Sequence, residues 1–70
     1  MSERDFLEKL ADVLNTEMDL TMDMELDDIN EWDSLGALAL MGMCFEASGK
    51  GVLIEKVRTA VTVRDLYELL

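Results

Sequence analysis

The chain contains no histidine and no proline, one cysteine, and no lysine or arginine anywhere from Leu10 through Gly49. Without histidine there is no Ser-His-Asp triad and no histidine metal site. A lone Cys44 excludes an internal disulfide and a cysteine zinc cluster. Acids interrupt every apolar run near the N-terminus, so no stretch has the pattern of a signal peptide or a membrane span. The expectation is a reducing, cytoplasmic setting.

What is abundant is negative charge. The net charge is -10, and ten acids (Asp12, Glu17, Asp19, Asp23, Glu25, Asp27, Asp28, Glu31, Asp33 and Glu46) lie inside the base-free window. The six basic residues, Arg4, Lys9, Lys50, Lys56, Arg58 and Arg64, all lie outside it. Such a field repels nucleic acid and anionic lipid and favours partners with basic patches. Solubility alone is the plain explanation of acid excess, but these acids gather in the segment leading to Ser34. Seventy residues predict one small domain, 1–70, marginally stable, with little capacity for a deep cleft.

Hydrophobic spacing predicts an all-α fold. Phe6, Leu7, Leu10, Val13 and Leu14 recur at helical spacing and predict a first helix over 3–15. Ser2 and Asp5 are placed for a capping box, and Asn15 and Thr16 suit the end. Residues 16–33 form a long connection carrying Met18, Leu20, Met22, Met24, Leu26, Ile29 and Trp32. Leu20 to Leu26 alternate like a strand, yet a lone strand has no evident partner. The expectation is therefore an ordered loop packed by its own hydrophobes, with a short turn near 27–31. The run from Ser34 to Ala47 is rich in Ala, Leu and Met and predicts a second helix, broken by Ser48-Gly49-Lys50-Gly51. Residues 52–58 predict one or two turns of a third helix. Thr62 and Asp65 form a second capping-box pattern before a fourth helix over 63–70, with Val63, Leu66, Leu69 and Leu70 along one side. The expected architecture is three main helices plus one short helix.

Few residues carry chemistry. The acids of 23–28 lack the glycine and terminal glutamate of an EF-hand loop and are simplest as solvated charge. Cys44, mid-helix among apolar residues, is expected to act as a small buried hydrophobe, and the six methionines as soft core. Ser34 remains. Asp33 and Ser34 are ordinary helix-start residues, and a cap is their simplest role. A phosphate ester at Ser34 would nevertheless meet exposed backbone N–H groups and the positive end of the helix dipole.

Taken together, the layout resembles the acyl carrier proteins and related carrier domains over nearly the whole chain. The shared features are a first helix, a long acidic loop, Asp33-Ser34-Leu35 opening the second helix, a short third helix, and Thr62-Val63 opening the last. The resemblance implies an acyl-carrier-like bundle that is not itself an enzyme. It implies 4′-phosphopantetheine, taken from coenzyme A, attached to Ser34 by a holo-carrier-protein synthase (a phosphopantetheinyl transferase), with Asp33 and Leu35 flanking the site. The thiol of that arm would carry an acyl or aminoacyl thioester between ligase and transferase enzymes. Leu40, Met41, Cys44, Val57, Ala60 and Leu66 are the expected lining of a space for the cargo.

The chain departs from the common pattern. Fatty-acid carriers place acids two and five residues after the serine, where this chain has Gly36 and Ala39. The third helix, usually acidic, carries Lys56 and Arg58. These departures favour a specialised carrier; a monomer with no membrane or nucleic-acid partner is expected. Its dedicated enzyme is expected to be steered by Asp27, Asp28 and Glu31 and to touch the second helix at Gly36 and Ala39. The alternative is a small acidic protein–protein adaptor in which Ser34 is only a helix cap.

Overall fold

A computed structural model describes residues 1–70 and is all-α. Helix α1 spans Glu3–Leu14, α2 Ser34–Ser48, α3 Ile54–Thr59 and α4 Val63–Tyr67, with a 3-10 turn at Leu26–Asp28. Two helices are long and two short. The fourth stops at Tyr67, short of the expected 70, and the third spans only six residues.

The ends of α1 follow from local chemistry. Ser2 accepts a hydrogen bond from the Asp5 amide at 3.1 Å, satisfying one orphan donor of the first turn. This is the Ser2 half of the expected box. At the other end Asn15 takes a left-handed conformation (φ 54°) and closes the helix. Helix α2 ends in the same way at Gly49 (φ 72°), where the absence of a Cβ removes the strain. The capping box of α4 is complete: Thr62 accepts from the Asp65 amide, and the Asp65 carboxylate accepts from the Thr62 amide.

The strand-like alternation in the long loop has a partner after all, and the partner is a helix start. The Val63 amide donates to the Met24 carbonyl at 3.0 Å, the Arg64 amide to the Met22 carbonyl at 2.9 Å, and the Leu26 amide to the Val61 carbonyl at 2.8 Å. First-turn amides have no acceptor within their own helix, so the loop supplies it. The register buries Met22 and Leu26 while Asp23 and Glu25 stay in water. A period of two thus arises without a sheet; one isolated bridge joins Glu25 to Thr62.

Thirteen buried residues form one apolar cluster drawn from all four helices and the loop. Phe6, Leu10 and Leu14 of α1 pack with Ala37, Leu40, Met43 and Cys44 of α2, Val57 of α3, and Val63 and Leu66 of α4. Full burial of each large side chain contributes about 1.5–3 kcal/mol. Phe6 meets Tyr67 edge to face at 5.3 Å, and the Tyr67 hydroxyl donates to the Met1 carbonyl. Two methionines are buried and three half-buried, so the methionines serve mainly as core. No helix is long and apolar enough to cross a membrane.

Candidate functional site

The start of α2 is built by Asp33. Its carboxylate accepts from the Gly36 amide at 2.8 Å and its carbonyl from the Ala37 amide at 2.9 Å. These bonds make Asp33 the cap and leave Ser34 as the first helical residue. Ser34 is exposed, and its hydroxyl makes no hydrogen bond within the chain. The cap and the hydroxyl are therefore separate functions, held by adjacent residues.

Beside Ser34 lies a cleft of about 480 Å³ between α2 and α3, lined by Trp32, Asp33, Ser34, Ala37, Leu38, Ile54, Val57 and Arg58. Its walls are mostly apolar. Its charged members are Asp33, committed to the cap, and Arg58 in the last turn of α3. The loop and first turn of α2 form one side, and the exposed Leu35 stands next to Ser34.

The sequence-expected residues divide. Asp33, Ser34 and Leu35 stand together as expected. Asp27 and Asp28 are exposed on the 3-10 turn. Glu31 is half-buried, with Oε1 enclosed and without a hydrogen-bond partner, in a depression shared with Asn15, Thr16, Glu17 and Met18. Its carboxylate is thus turned toward the end of α1, apart from the exposed Asp27 and Asp28.

Gly36 differs in its placement from the expected partner contact. It is buried, and a Cβ there would lie 2.7 Å from Leu14 Cδ2 and 3.2 Å from the Glu31 carbonyl oxygen. Its small size serves the packing of α1 on α2, not a partner. Ala39 is half-buried beside Lys9, Asp12 and Val13 of α1, away from the Ser34 face. Of the expected cargo lining, Leu40, Cys44 and Leu66 are sealed in the core, while Met41 and Ala60 are half-buried. Val57 alone both lines the cleft and belongs to that set. The cleft residues that sequence reasoning missed are Trp32, Ala37, Leu38, Ile54 and Arg58. Helical spacing held a signal for them: Leu38 lies one turn after Ser34, and Ile54, Val57 and Arg58 fall on one side of α3.

The outer side of α2 is unusual. Leu35 is 76% exposed, and Leu38 and Phe45 are each 58% exposed; Leu35 and Leu38 lie within a turn of Ser34, and Phe45 lies three turns along the helix. Across the cleft Ile54 and its neighbour Leu53 are exposed as well. Burial pushes the Cys44 thiol above its ordinary range, which keeps it protonated and unreactive.

No protein-family profile, curated protein or solved structure matches this chain.

Proposed function

We propose that this chain is a carrier protein with an acyl-carrier-like bundle, loaded at Ser34 with a 4′-phosphopantetheine arm from coenzyme A. The observation that carries this reading is an exposed serine hydroxyl, free of the capping bonds, at the mouth of an apolar cleft. Loading forms a bond between Ser34 Oγ and phosphorus and breaks the diphosphate bond of coenzyme A, whose nucleotide half leaves. The hydroxyl proton passes to a base of the transferase, since this chain has no histidine and no resolved partner for that hydroxyl. The chain is not an enzyme in this scheme. It carries an acyl or aminoacyl thioester in the cytoplasm between enzymes that load and unload it.

The cleft suits the pantetheine portion of such an arm, because Ala37, Leu38, Ile54 and Val57 offer it apolar walls. The exposed side chains of Leu35, Leu38 and Phe45 provide the surface met by partners, with Asp27 and Asp28 contributing to steering. That same surface also favours a second reading, an acidic protein–protein adaptor in which Ser34 has no covalent role. Intact mass separates the two. Incubation with coenzyme A, magnesium and a broad-specificity phosphopantetheinyl transferase adds one phosphopantetheinyl group, and Ser34→Ala abolishes the addition while far-UV CD remains helical. No addition, or addition at Ser2 or Ser48, overturns the carrier reading.

A further inference from the structure

The chain has three arginines, and two of them are paired: Arg4 with Glu8 at 3.5 Å, and Arg64 with Glu3 at 3.2 Å and Asp23 at 3.8 Å. Arg58 makes no ion pair, although the chain carries sixteen acids. It is also the single basic residue lining the cleft beside Ser34. The one acid lining that cleft, Asp33, caps the Gly36 amide and forms no salt bridge with the guanidinium.

A phosphodiester on Ser34 fixes a negative charge on the free oxygens of the phosphorus bonded to Ser34 Oγ. That charge would sit next to Asp33 in a protein of net charge -10, where Coulomb repulsion disfavours it. Arg58 is the cleft's only opposite charge. A guanidinium presents paired N–H donors in a fork that matches two phosphate oxygens, and it stays charged at any pH the fold survives.

We infer that Arg58 is a positioning residue that holds the phosphodiester of a Ser34-linked arm and turns the arm into the cleft along Ile54 and Val57. The inference rests on the carrier reading and adds to it a defined resting place for the arm. Without this contact the phosphate would face water, and the arm would spend more of its time extended away from the fold. With it, the thiol end returns toward α3 until a partner withdraws it. Because Arg58 is exposed, the contact is weak enough to release.

The test uses loaded protein, with loading on Ser34 first verified by intact mass. Phosphorus NMR reads the environment of the phosphodiester. Proton NOEs from the arm's geminal methyls to the methyl groups of Ile54 and Val57 read its docking. Arg58→Gln should move the phosphorus resonance toward that of a free phosphodiester and reduce the docked population about two- to fivefold, the range that one exposed ion pair supports. Arg58→Lys should restore part of both signals, which a purely structural role for the arginine would not do. In the wild type, added salt should weaken the same NOEs without any mutation. If Arg58→Gln carries the arm yet leaves resonance and NOEs unchanged, Arg58 does not hold the phosphate. An unchanged NOE pattern through the salt series overturns the inference on the wild type alone. Absence of the arm from Ser34 overturns the carrier reading beneath it.

Discussion

Helices α1 and α2 are similar in length and share one core, yet their outer faces differ in kind. The outward side of α1 carries Arg4, Asp5, Glu8, Lys9 and Asp12, and its inward side Phe6, Leu10 and Leu14. That is the division expected of a surface helix whose only task is to cover a core. Helix α2 buries Gly36, Ala37, Leu40, Met43 and Cys44, but its outward side presents Ser34, Leu35, Leu38 and Phe45. Folding accounts for every apolar residue on the inner line of α1. It leaves three large ones on α2 without use. Exposed apolar side chains are normal singly, but Leu35 and Leu38 flank an exposed hydroxyl and Phe45 continues their side of the helix, which is the kind of surface that a partner could cover.

The largest expected effect tests whether the two sides of α2 differ as described. Leu40 is fully enclosed, so Leu40→Ala should cost about 2–5 kcal/mol, a large part of the stability of so small a domain. Leu38→Ala, two positions earlier, should change stability by no more than about 0.5 kcal/mol. Urea unfolding followed by CD measures both. Equal losses would show that α2 has no true outer face.

The second test compares Gly36 with Ala39, the two positions where carriers of the common pattern have acids. Gly36→Glu drives a charged side chain against Leu14 and the Glu31 carbonyl, costing about 1–3 kcal/mol from overpacking alone. Ala39→Glu enters a half-open site shared by Lys9, Asp12 and Glu46, where it meets no close packing, and should fold normally. Thermal melts decide it: a Gly36→Glu variant as stable as Ala39→Glu would mean that the α1–α2 contact opens at little cost.

The third test probes the start of α4, where the long loop closes on it. Asp65 accepts hydrogen bonds from the Val61 amide at 3.0 Å and the Thr62 amide at 3.1 Å, and these hold its carboxyl below the ordinary carboxylate range. A lowered folded-state pKa favours the ionised form in the fold. The contribution is therefore complete above the unfolded value, about 3.9, and is lost as pH falls through the folded one. Asp65→Asn keeps an acceptor oxygen and removes the titration. Its stability should fall less steeply than that of the wild type on acidification below about pH 4. Parallel slopes would show that other acids dominate this end.

These comparisons also show what could be seen in the chain itself. The caps at Ser2, Asp33, Asn15 and Thr62 were legible because each depends on residues within four positions. So was Ser34 at the head of α2. The inward orientation of Gly36 was not, because α2 is apolar on every side and periodicity cannot say which side turns inward. The pairing of Met22, Met24 and Leu26 with the start of α4 was hidden by its distance along the chain and by the assumption that alternation needs a second strand. Helix α3 buries only Val57, too little for a clear pattern, so the cleft it forms with α2 and the place of Arg58 within it emerged only from the fold.

The smallest expected effect on stability is the most informative about the difference between α1 and α2. Leu38→Gln and Phe45→Gln replace exposed apolar side chains with polar ones of useful length, and helix propensity changes little for Leu38→Gln. Each should alter unfolding free energy by no more than about 0.5 kcal/mol. If the outer face exists to meet partners, the same variants should act where folding does not. Modification of Ser34 by the transferase should show a raised KM with kcat nearly unchanged, because the lost contact is made equally in the bound and the reacting complex. A central apolar contact commonly contributes more than about 1 kcal/mol to association, so the KM rise for Leu38→Gln, next to the serine, should reach several-fold. Phe45→Gln, two turns further along α2, should have less effect on the transferase, which must reach only the head of the helix. A loss of more than 2 kcal/mol in stability at either position would place that side chain in the core. Unchanged stability with unchanged KM would mean that neither folding nor loading uses this face.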